Sequence, residues 1–512
     1  MPEGGQDRPG GADAQGGGEA EYEDWSRFGF TPTLGVPIVD LRKGAPGEAP
    51  WPDRMRSLLR TPMSERPEFE RSAAKPASEP SVPRVLDLTL RIGELLLASG
   101  EAAEDVEAAM LGVAHAYRLD RCEPEVTFTL LSVTYQPSLV EPPISATRVV
   151  RRRGTDHTRL ASVYRLVADI TGEEVSVEEA YRRLAEIRRN RHPYSSWALT
   201  LATGLLAAAA TLLVGGRADP QAWLVFLIAF VAAALGDRLA WLVASKGLPE
   251  FYQFVVAAMP AALSGVLLTA GHSGLRGSVV ITGGLYGLLP GRALVAAVAD
   301  GLTGYYITAA ARLLEVVYLV VGIVIGVLSV LYIGVRLFGA ELHPEQALAT
   351  HPFPVLQLAS ALLLTLCFAV LLQTSRQVLL QVTLLGGVSW AVFGVLGQAR
   401  VSTVLATGVA AMLIGLFGQM LSRYQYASSK IYVTPALGPL LPGSVIYRGL
   451  LSLAQGDALQ GLVFIARASA LALALAVGVN LGGELARLFL KIPHAGGEAG
   501  LVRRAAKRTR GF

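Results

Sequence analysis

The sequence predicts an all-α polytopic membrane protein of about ten transmembrane helices, arranged as a 5+5 inverted repeat behind a small α+β cytoplasmic domain and a disordered N-terminal tail. Low charge, long apolar runs and an internal repeat predict this fold class. Of the 512 residues, 52% are hydrophobic and 17% are charged, and the mean hydropathy is +0.43. Soluble domains usually carry about 25% charged residues. The shortage of charge is concentrated after residue 196.

The first 83 residues are rich in Gly, Pro and Glu and show little apolar periodicity. Such a segment cannot bury enough apolar surface to offset its chain entropy, so residues 1–83 are predicted to be a disordered tail. The chain begins without the basic stretch and the apolar core that are typical of a signal peptide. We therefore expect the N-terminus to stay in the cytoplasm.

Residues 84–192 are predicted to form the cytoplasmic α+β domain. Two apolar segments with helical spacing come first, and residues 125–135 (EVTFTLLSVTY) are rich in β-formers and predict one strand. Residues 146–152 are suited to pair with that strand. Two further helices follow, and Ser176 with Glu179 at the start of the second has the spacing of a capping box.

The rest of the chain contains ten apolar runs separated by short polar turns. A helix needs about 20 apolar residues to cross the hydrocarbon core of a membrane. The runs group into a first module at 193–340 and a second at 350–490, followed by a basic cytoplasmic tail at 491–512. They lie at 197–214, 222–243, 252–270, 277–299, 313–335, 355–373, 378–396, 402–421, 431–453 and 460–482.

Short motifs recur between the two modules. Residues 288–291 (LLPG) return 152 residues later as 440–443, and two further matches have offsets of 155 and 156 residues. A second copy of a five-helix unit must insert upside down, since each span reverses the chain. The two halves are then related by an axis in the membrane plane, an architecture typical of secondary transporters. The two further matches are Ala311-Arg312 with Ala466-Arg467, and the GxxxG pair Gly322/Gly326 with Gly478/Gly482.

The distribution of basic residues predicts the orientation. Cytoplasmic loops carry an excess of Lys and Arg. With the N-terminal domain inside, Lys246, Arg376, Arg423, Lys430 and the basic C-terminal tail fall on the cytoplasmic side. The opposite side keeps a similar number of single arginines (Arg217, Arg276, Arg336, Arg400 and Arg448), so the long basic clusters decide the orientation. We therefore predict a multi-pass protein of the cytoplasmic membrane with both termini in the cytoplasm.

The repeated Pro-Gly pairs predict the position of a substrate site. Pro290-Gly291 interrupts the fourth run and Pro442-Gly443 interrupts the ninth. Proline removes a backbone donor and breaks the helix, and the freed polar groups must face protein or a wet cavity. Broken helices at equivalent places in two inverted halves are typical of a transport site. The alternative is that both pairs are packing kinks.

Three charged residues of the membrane region complete the candidate site. Asp300 is suited to bind a substrate ammonium or to carry a coupling proton, and Arg312 and Arg467 are suited to hold a carboxylate. Arg312 and Glu315 are three residues apart, which allows them to pair on one helix. The alternative is that these charged groups lie at the interface and extend to water.

Other classes of site find little support in the sequence. The two cysteines are far apart, and the seven histidines show no metal-binding spacing, so we predict no metal site. Nucleotide-binding and catalytic motifs are absent from the sequence, and its basic clusters flank predicted spans, where they suit anionic lipid. We therefore expect no cofactor, no nucleic-acid partner, no catalytic residue and an ion gradient as the energy source; the oligomeric state is left open.

Several motifs resemble the threonine/serine exporter family, with similarity from about 84 to 485. They are residues 95–100, Glu104 to Glu107, the 213–216 turn, and 289–291 followed by Asp300 and Arg312. The resemblance implies a ten-span carrier of the cytoplasmic membrane that exports L-threonine and L-serine with the proton-motive force. In some relatives the two modules are separate proteins, and such a pair is linked to dicarboxylate export.

Three functional hypotheses remain open from the sequence. The first is a proton-coupled exporter of small amino acids, and the second is an exporter of a dicarboxylate such as succinate. The third is a membrane enzyme or sensor that acts through its N-terminal domain, where Asp105, His115, Asp156 and His157 are available without a recognisable catalytic spacing.

Overall fold

The structure is a computed structural model of the chain. It describes residues 51–59 and 81–489, apart from short segments at 139, 152–153, 155, 173–174, 190–192, 216–219, 272–274, 276, 339–353 and 426. The predicted basic tail at 491–512 and most of the predicted disordered tail therefore lie outside the described residues. The predicted domain boundaries stay predictions.

The N-terminal domain packs five helices around one face of a three-stranded antiparallel sheet with the order β1-β2-β3. Val85, Leu88 and Ile92 of α2 are fully buried, which agrees with the helical spacing of the apolar residues. The elements are α1 Trp51–Leu59, α2 Val82–Ala98, α3 Ala103–Ala116, β1 Cys122–Thr127, β2 Leu130–Tyr135, β3 Ile144–Val149, α4 His157–Thr171 and α5 Val177–Arg189.

The strand predicted at 125–135 is a hairpin of two strands, so that prediction is wrong in one respect. The chain turns at Phe128, whose φ is 52°, and Thr127 pairs with Leu130. Phe and Thr are not typical turn residues, so the sequence gives little sign of the reversal. The backbone N–H of Phe128 donates to Thr308 Oγ1 at 3.1 Å, so a contact with the membrane part helps to fix this turn.

Helix α1 lies inside the segment predicted to be a disordered tail, and this stretch is ordered against the domain. Trp51 and Met55 are buried, and the Trp51 ring lies 4.9 Å from the Tyr164 ring between centroids. Arg56 pairs with Asp105 of α3. One short helix adds few apolar residues to a Gly- and Pro-rich segment, so average composition hides it.

All ten predicted membrane segments are helical. Seven helices of the described residues are long and apolar enough to span a membrane, and α9 with α10, bent by 51° between them, makes an eighth. The other two are α12, just shorter than the rest, and the broken pair α15 and α16. The helices are α6 Ser196–Gly215, α7 Pro220–Ser245, α8 Glu250–Ala270, α9 Gly277–Tyr286, α10 Gly291–Leu302, α11 Tyr306–Phe338, α12 Pro354–Leu371, α13 Leu379–Gln398, α14 Thr403–Gln425, α15 Lys430–Ala436, α16 Gly443–Ala454 and α17 Ala458–Phe489.

The outward faces of these helices are apolar. On α7, Trp223, Leu227, Val231 and Leu235 follow one another at four-residue spacing, and each is just over half exposed. A stripe of this size is unfavourable in water and suits lipid, where helices satisfy their own backbone groups. The predicted fold class, an all-α polytopic membrane protein, is confirmed.

The repeat is visible in the backbone, with a constant offset of 152 residues. Pro290 has φ −79° and ψ 40°, and Pro442 has φ −77° and ψ 41°. The following turns also match, because Gly304 and Gly456 have φ values of 94° and 88°. Helices α11 and α17 follow these turns without a break, so the offset of 152 residues continues along them and Arg312 corresponds to Phe464. The predicted match of Arg312 with Arg467, at an offset of 155, is therefore wrong.

The two halves run in opposite directions relative to the N-terminal domain. The end of α10 and the start of α11 contact this domain, where Tyr305 bonds to Glu107. In the second half the start of α15 does so, where Lys430 Nζ donates to the Gly100 carbonyl at 3.2 Å. Likewise Tyr194, just before α6, bonds at 2.9 Å to Thr374, just after α12. Equivalent segments therefore start at opposite ends, as an inverted repeat requires.

Candidate functional site

The two Pro-Gly breaks contact each other. A Cβ atom placed on Gly291 would lie 3.4 Å from the Leu441 Cβ, and one placed on Gly443 would lie 3.0 Å from the Tyr286 ring. The fourth segment of each half is thus broken where it meets the fourth segment of the other half. A side chain at Gly443 would press on the Tyr286 ring, whereas one at Gly291 would make an ordinary contact with Leu441.

Tyr286 joins the two breaks with hydrogen bonds that the sequence did not predict. Its hydroxyl donates to the Gly438 carbonyl at 2.8 Å and lies 3.3 Å from the Leu441 carbonyl. These carbonyls belong to the irregular stretch between α15 and α16, where regular helical partners are lost. The only signal in the sequence is a phenol four residues before Pro290 in an otherwise apolar run.

An apolar cleft lies beside the breaks, between α9, α11 and α16. Its walls are aliphatic except for one tyrosine, so it suits a small apolar group better than a charged one. It is lined by Leu285, Leu289, Ile323, Val324, Val327, Leu328, Tyr447 and Leu451.

Asp300 and Arg312 form a buried ion pair across the turn between α10 and α11. Arg312 Nη1 lies 2.6 Å from Asp300 Oδ2, and the two side chains are 9% and 1% exposed. Neither Asp300 oxygen has an aligned hydrogen-bond donor among the described residues, so the contact is ionic rather than a well-formed hydrogen bond. The two predicted site residues therefore do meet, at the end of α10 that faces the N-terminal domain.

The N-terminal domain adds a carboxylate to this pair, and the second half adds an ammonium. Lys430 Nζ lies 3.5 Å from Glu101 Oε1, and Arg312 Nη2 lies 3.4 Å from the Glu101 carbonyl. The Glu101 side chain is fully buried, and this burial raises its pKa although the charge of Lys430 opposes the shift. We call Glu101, Asp300, Arg312 and Lys430 the domain-facing cluster.

Arg292 is a further cation that the sequence analysis missed. It follows Gly291 directly, on the first turn of α10, and is mostly buried. The carboxylate of Glu315 on α11 acts on it electrostatically, and its own charge acts on His157 of the N-terminal domain. Arg292 therefore lies between the breaks and the domain-facing cluster.

Arg467 lies apart from these groups. It is exposed on α17, and its guanidinium is 3.5 Å from Thr403 Oγ1 at the start of α14. No contact among the described residues joins it to either break or to Asp300. The structure therefore brings together six of the seven predicted site residues in two neighbouring groups.

The four N-terminal residues considered for an enzyme or sensor make separate contacts. Asp105 pairs with Arg56, and His115 Nδ1 lies 3.3 Å from Asp120. The other two belong to the start of α4, where Asp156 caps the helix and His157 Nδ1 lies 3.1 Å from Thr374 Oγ1 of the membrane part. Burial lowers the pKa of His157 to about 3, so it docks as a neutral ring.

A polytopic bundle of two oppositely directed five-segment units, whose broken helices meet, has the architecture of secondary transporters. Residues 87–334 match the family model described as putative threonine/serine exporter. Residues 357–483 match the model described as threonine/serine exporter, ThrE. The chain belongs to the threonine/serine exporter family.

Two curated relatives align with most of the chain. A protein of Mycobacterium tuberculosis (strain ATCC 25618 / H37Rv), named probable threonine/serine exporter, is 34% identical over 415 residues, which are 79% of this chain and 76% of the relative. A protein of Corynebacterium glutamicum, named threonine/serine exporter, is 28% identical over 420 residues, which are 80% of this chain and 84% of the relative. No solved structure matches the chain.

Proposed function

We propose that the protein exports L-threonine and L-serine across the cell membrane, driven by the proton-motive force, with both termini in the cytoplasm. The names of the two relatives support the cargo. The long basic clusters, at 182–191 before the first span and in the C-terminal tail, support the orientation. Proton coupling is supported by the lack of a nucleotide-binding motif in the sequence, which leaves an ion gradient as the energy source.

The observation that carries this proposal is the meeting of the two Pro-Gly breaks. Two rigid halves that touch at broken segments can rock against each other, so that the contact region opens to one side of the membrane and then to the other. The Tyr286 hydroxyl bonds across this contact. We therefore expect this hydrogen bond to form in the state in which the two breaks touch and to be lost when they separate.

The charged groups along α10 and the start of α11, from the breaks to the domain-facing cluster, suit a small zwitterion. Arg292 and Arg312 are cations for a carboxylate, and Asp300 has oxygens without an aligned donor among the described residues, which can accept an ammonium or a proton. The apolar cleft beside Leu289 suits the methyl group of threonine. Backbone groups at Pro290-Gly291 and Pro442-Gly443 contribute further polar contacts. Arg467, exposed on α17, is not part of this proposed site.

The test is efflux from proteoliposomes that contain the purified protein and are loaded with radiolabelled threonine, serine or succinate. We expect threonine and serine efflux to be saturable, to depend on an imposed proton gradient and to collapse with a protonophore. Efflux of succinate alone would favour the dicarboxylate alternative, and efflux unaffected by the protonophore would remove proton coupling from the proposal.

A further inference from the structure

We propose that Lys430 is the carboxylate-binding group at the domain-facing mouth of the transport route, and that Glu101 occupies it as an internal carboxylate which the substrate displaces. This inference rests on the proposed function, because it takes the substrate to be an amino acid arriving from the side of the N-terminal domain.

The geometry places Glu101 against cations from both halves, with its carboxylate facing Lys430 and its main-chain carbonyl facing Arg312. Glu101 follows Gly100 in the loop between α2 and α3, and its side chain points out of the domain towards the membrane part. Lys430 starts α15 in the second half, 3.5 Å from the Glu101 carboxylate. Arg312 belongs to α11 in the first half and donates to the Glu101 carbonyl at 3.4 Å. Glu101 therefore links the two halves that must separate during transport.

The polar contacts of Glu101 suit an exchangeable occupant. A fully buried carboxylate is stable only when charges and hydrogen bonds compensate for its lost hydration. Oε1 accepts from the Ala102 N–H at 3.2 Å, and the Ser428 hydroxyl also bonds to the carboxylate. Oε2 has no hydrogen-bond partner among the described residues. Part of its bonding capacity is therefore unmet in this position.

Lys430 remains reachable from solution. Its side chain is 26% exposed, whereas that of Glu101 is not exposed at all. A dissolved carboxylate can therefore approach Lys430 from the outside while Glu101 holds the inner position. The exchange replaces one ammonium–carboxylate pair with another of the same kind.

The cluster also lies on the way to the breaks. Helix α10 runs from Gly291 at the break to Asp300 in the cluster, which is nine residues or roughly 14 Å of helix. Arg292 lies at the inner end of that stretch and Arg312 at the outer end. After a substrate carboxylate displaces Glu101, Arg292 is the next cation along the route to the breaks. Asp300 is placed to bind the ammonium group of the same substrate.

The decisive experiment compares the affinities of the purified, detergent-solubilised protein for two probes, L-threonine and L-threoninamide, which lacks the carboxylate. Ligand-induced thermal shift and calorimetry measure binding whether or not transport occurs. We expect Glu101→Gln to tighten threonine binding about tenfold, because the competing carboxylate is gone, and to leave threoninamide binding unchanged. Glu179→Gln, in a surface ion pair of α5, is the matched control and should change neither affinity.

The exchanged pair separates binding from a structural role. In the double variant Glu101→Lys with Lys430→Glu, the ion pair is restored with its charges reversed. If the pair only holds the domain in place, threonine affinity returns to that of the wild type. We expect affinity to stay at least about tenfold weaker, because a carboxylate at position 430 repels the substrate.

The outcomes distinguish this inference from the proposed function. Equal effects of Glu101→Gln on threonine and threoninamide, no effect on either, or full recovery in the exchanged pair would overturn the inference. Proteoliposomes that export neither threonine nor serine, with the wild-type protein still binding threonine and responding to Glu101→Gln as expected, would overturn the proposed function alone.

Discussion

At the scale of single residues, two carboxyl groups of the N-terminal domain, Asp105 and Glu107, have pKa values shifted in opposite directions. Burial alone would raise the pKa of Asp105, but the charge and hydrogen bond of Arg56 together with the charge of Lys430 outweigh burial and lower it. Glu107 has no such cation in the part of the chain that the structure describes, and it accepts hydrogen bonds from Tyr305 and from the Val126 N–H. These neutral donors do not compensate for burial, which raises the pKa of Glu107 to about 7.

The raised pKa of Glu107 predicts a pH-dependent stability. The unfolded carboxyl titrates near 4.5, so the folded protein binds the proton more tightly and its stability falls as the pH rises from 4.5 to 7. The negative charges of Glu104 and Glu125 act in the same direction. We expect the loss to be on the order of 1–3 kcal/mol, and Glu107→Gln to remove it.

Thermal denaturation of the purified protein at pH 5 to 8 measures this effect as the difference between wild type and Glu107→Gln. The control is Glu123→Gln, because Glu123 is exposed on β1. Parallel curves for wild type and Glu107→Gln across that range would show that Glu107 does not titrate there.

Tyr286 offers a second prediction at this scale. Tyr286→Phe removes the shorter of the two bonds to the Gly438 carbonyl and leaves only the Leu441 N–H at 3.3 Å, so we expect a loss of about 1 kcal/mol of stability together with slower threonine efflux. Tyr432→Phe is the control, because this buried tyrosine has a hydroxyl with no hydrogen-bond partner among the described residues. Similar melting temperatures and efflux rates for the two variants would contradict a role of the bridge.

At the scale of elements, the last helix of each half packs closely on the third through glycine. Gly326 of α11 contacts the Val255 carbonyl of α8, and Gly478 of α17 contacts the Gly408 carbonyl of α14. Small residues allow helix backbones to approach each other in membranes, where apolar side chains gain little by leaving lipid. The same contact occurs in both halves, so it is suited to hold each half together during the rocking movement that we propose.

Neighbouring glycines of α17 predict opposite effects of the same substitution. A Cβ at Gly482 would collide with the Met412 carbonyl, whereas one at Gly483 would meet nothing within 4 Å. We expect Gly482→Ala to destabilise the protein by about 1–3 kcal/mol, as overpacking does. Gly483→Ala should be neutral or stabilising by up to about 1 kcal/mol, because alanine favours the helix.

Melting temperatures of the two variants in the same detergent test this pair. An equal shift in both would mean that α14 and α17 do not pack as closely as the structure has them.

At the scale of the whole molecule, the N-terminal domain is bound to both halves. It contacts α11 through Phe128 and Thr308, and it contacts the turn after α12 through Thr158 and Gln373. Movement of one half against the other must therefore release some of these bonds. The domain is placed to favour one state of the transport cycle over the other.

The inverted arrangement predicts opposite exposure of equivalent turns. Thr303, in the turn between α10 and α11, and Gln455, in the turn between α16 and α17, are related by 152 residues and are both exposed. We expect Thr303→Cys to react with a membrane-impermeant thiol reagent from the cytoplasmic side only, and Gln455→Cys from the opposite side only.

Labelling of right-side-out and inside-out vesicles measures these sides. The background is low because both natural cysteines, Cys122 and Cys367, are buried. Labelling of both variants from the same side would contradict the inverted repeat.

Much of the fold was predictable, and less of the site. Apolar runs of membrane length and the motif at 288–291 are local features, so they predicted ten segments in two modules and the position of both breaks. Tyr286, Arg292, Glu101 and Lys430 carry no local sign of their contacts. Their partners lie on other segments, as with the hydroxyl of Tyr286 and the carbonyl of Gly438, 152 residues apart.

The sequence by itself determined that this chain is an α-helical membrane protein with two related halves. Hydropathy and proline breaks determine this because each depends only on residues within a few helical turns. The register of the repeat, the place of Arg467 outside the proposed site and the insertion of Glu101 between two cations were decided only by the tertiary structure. The physical reason is that the free energy of a charge buried among apolar helices depends on its distance to other charges. That distance depends on how segments far apart in the sequence pack together.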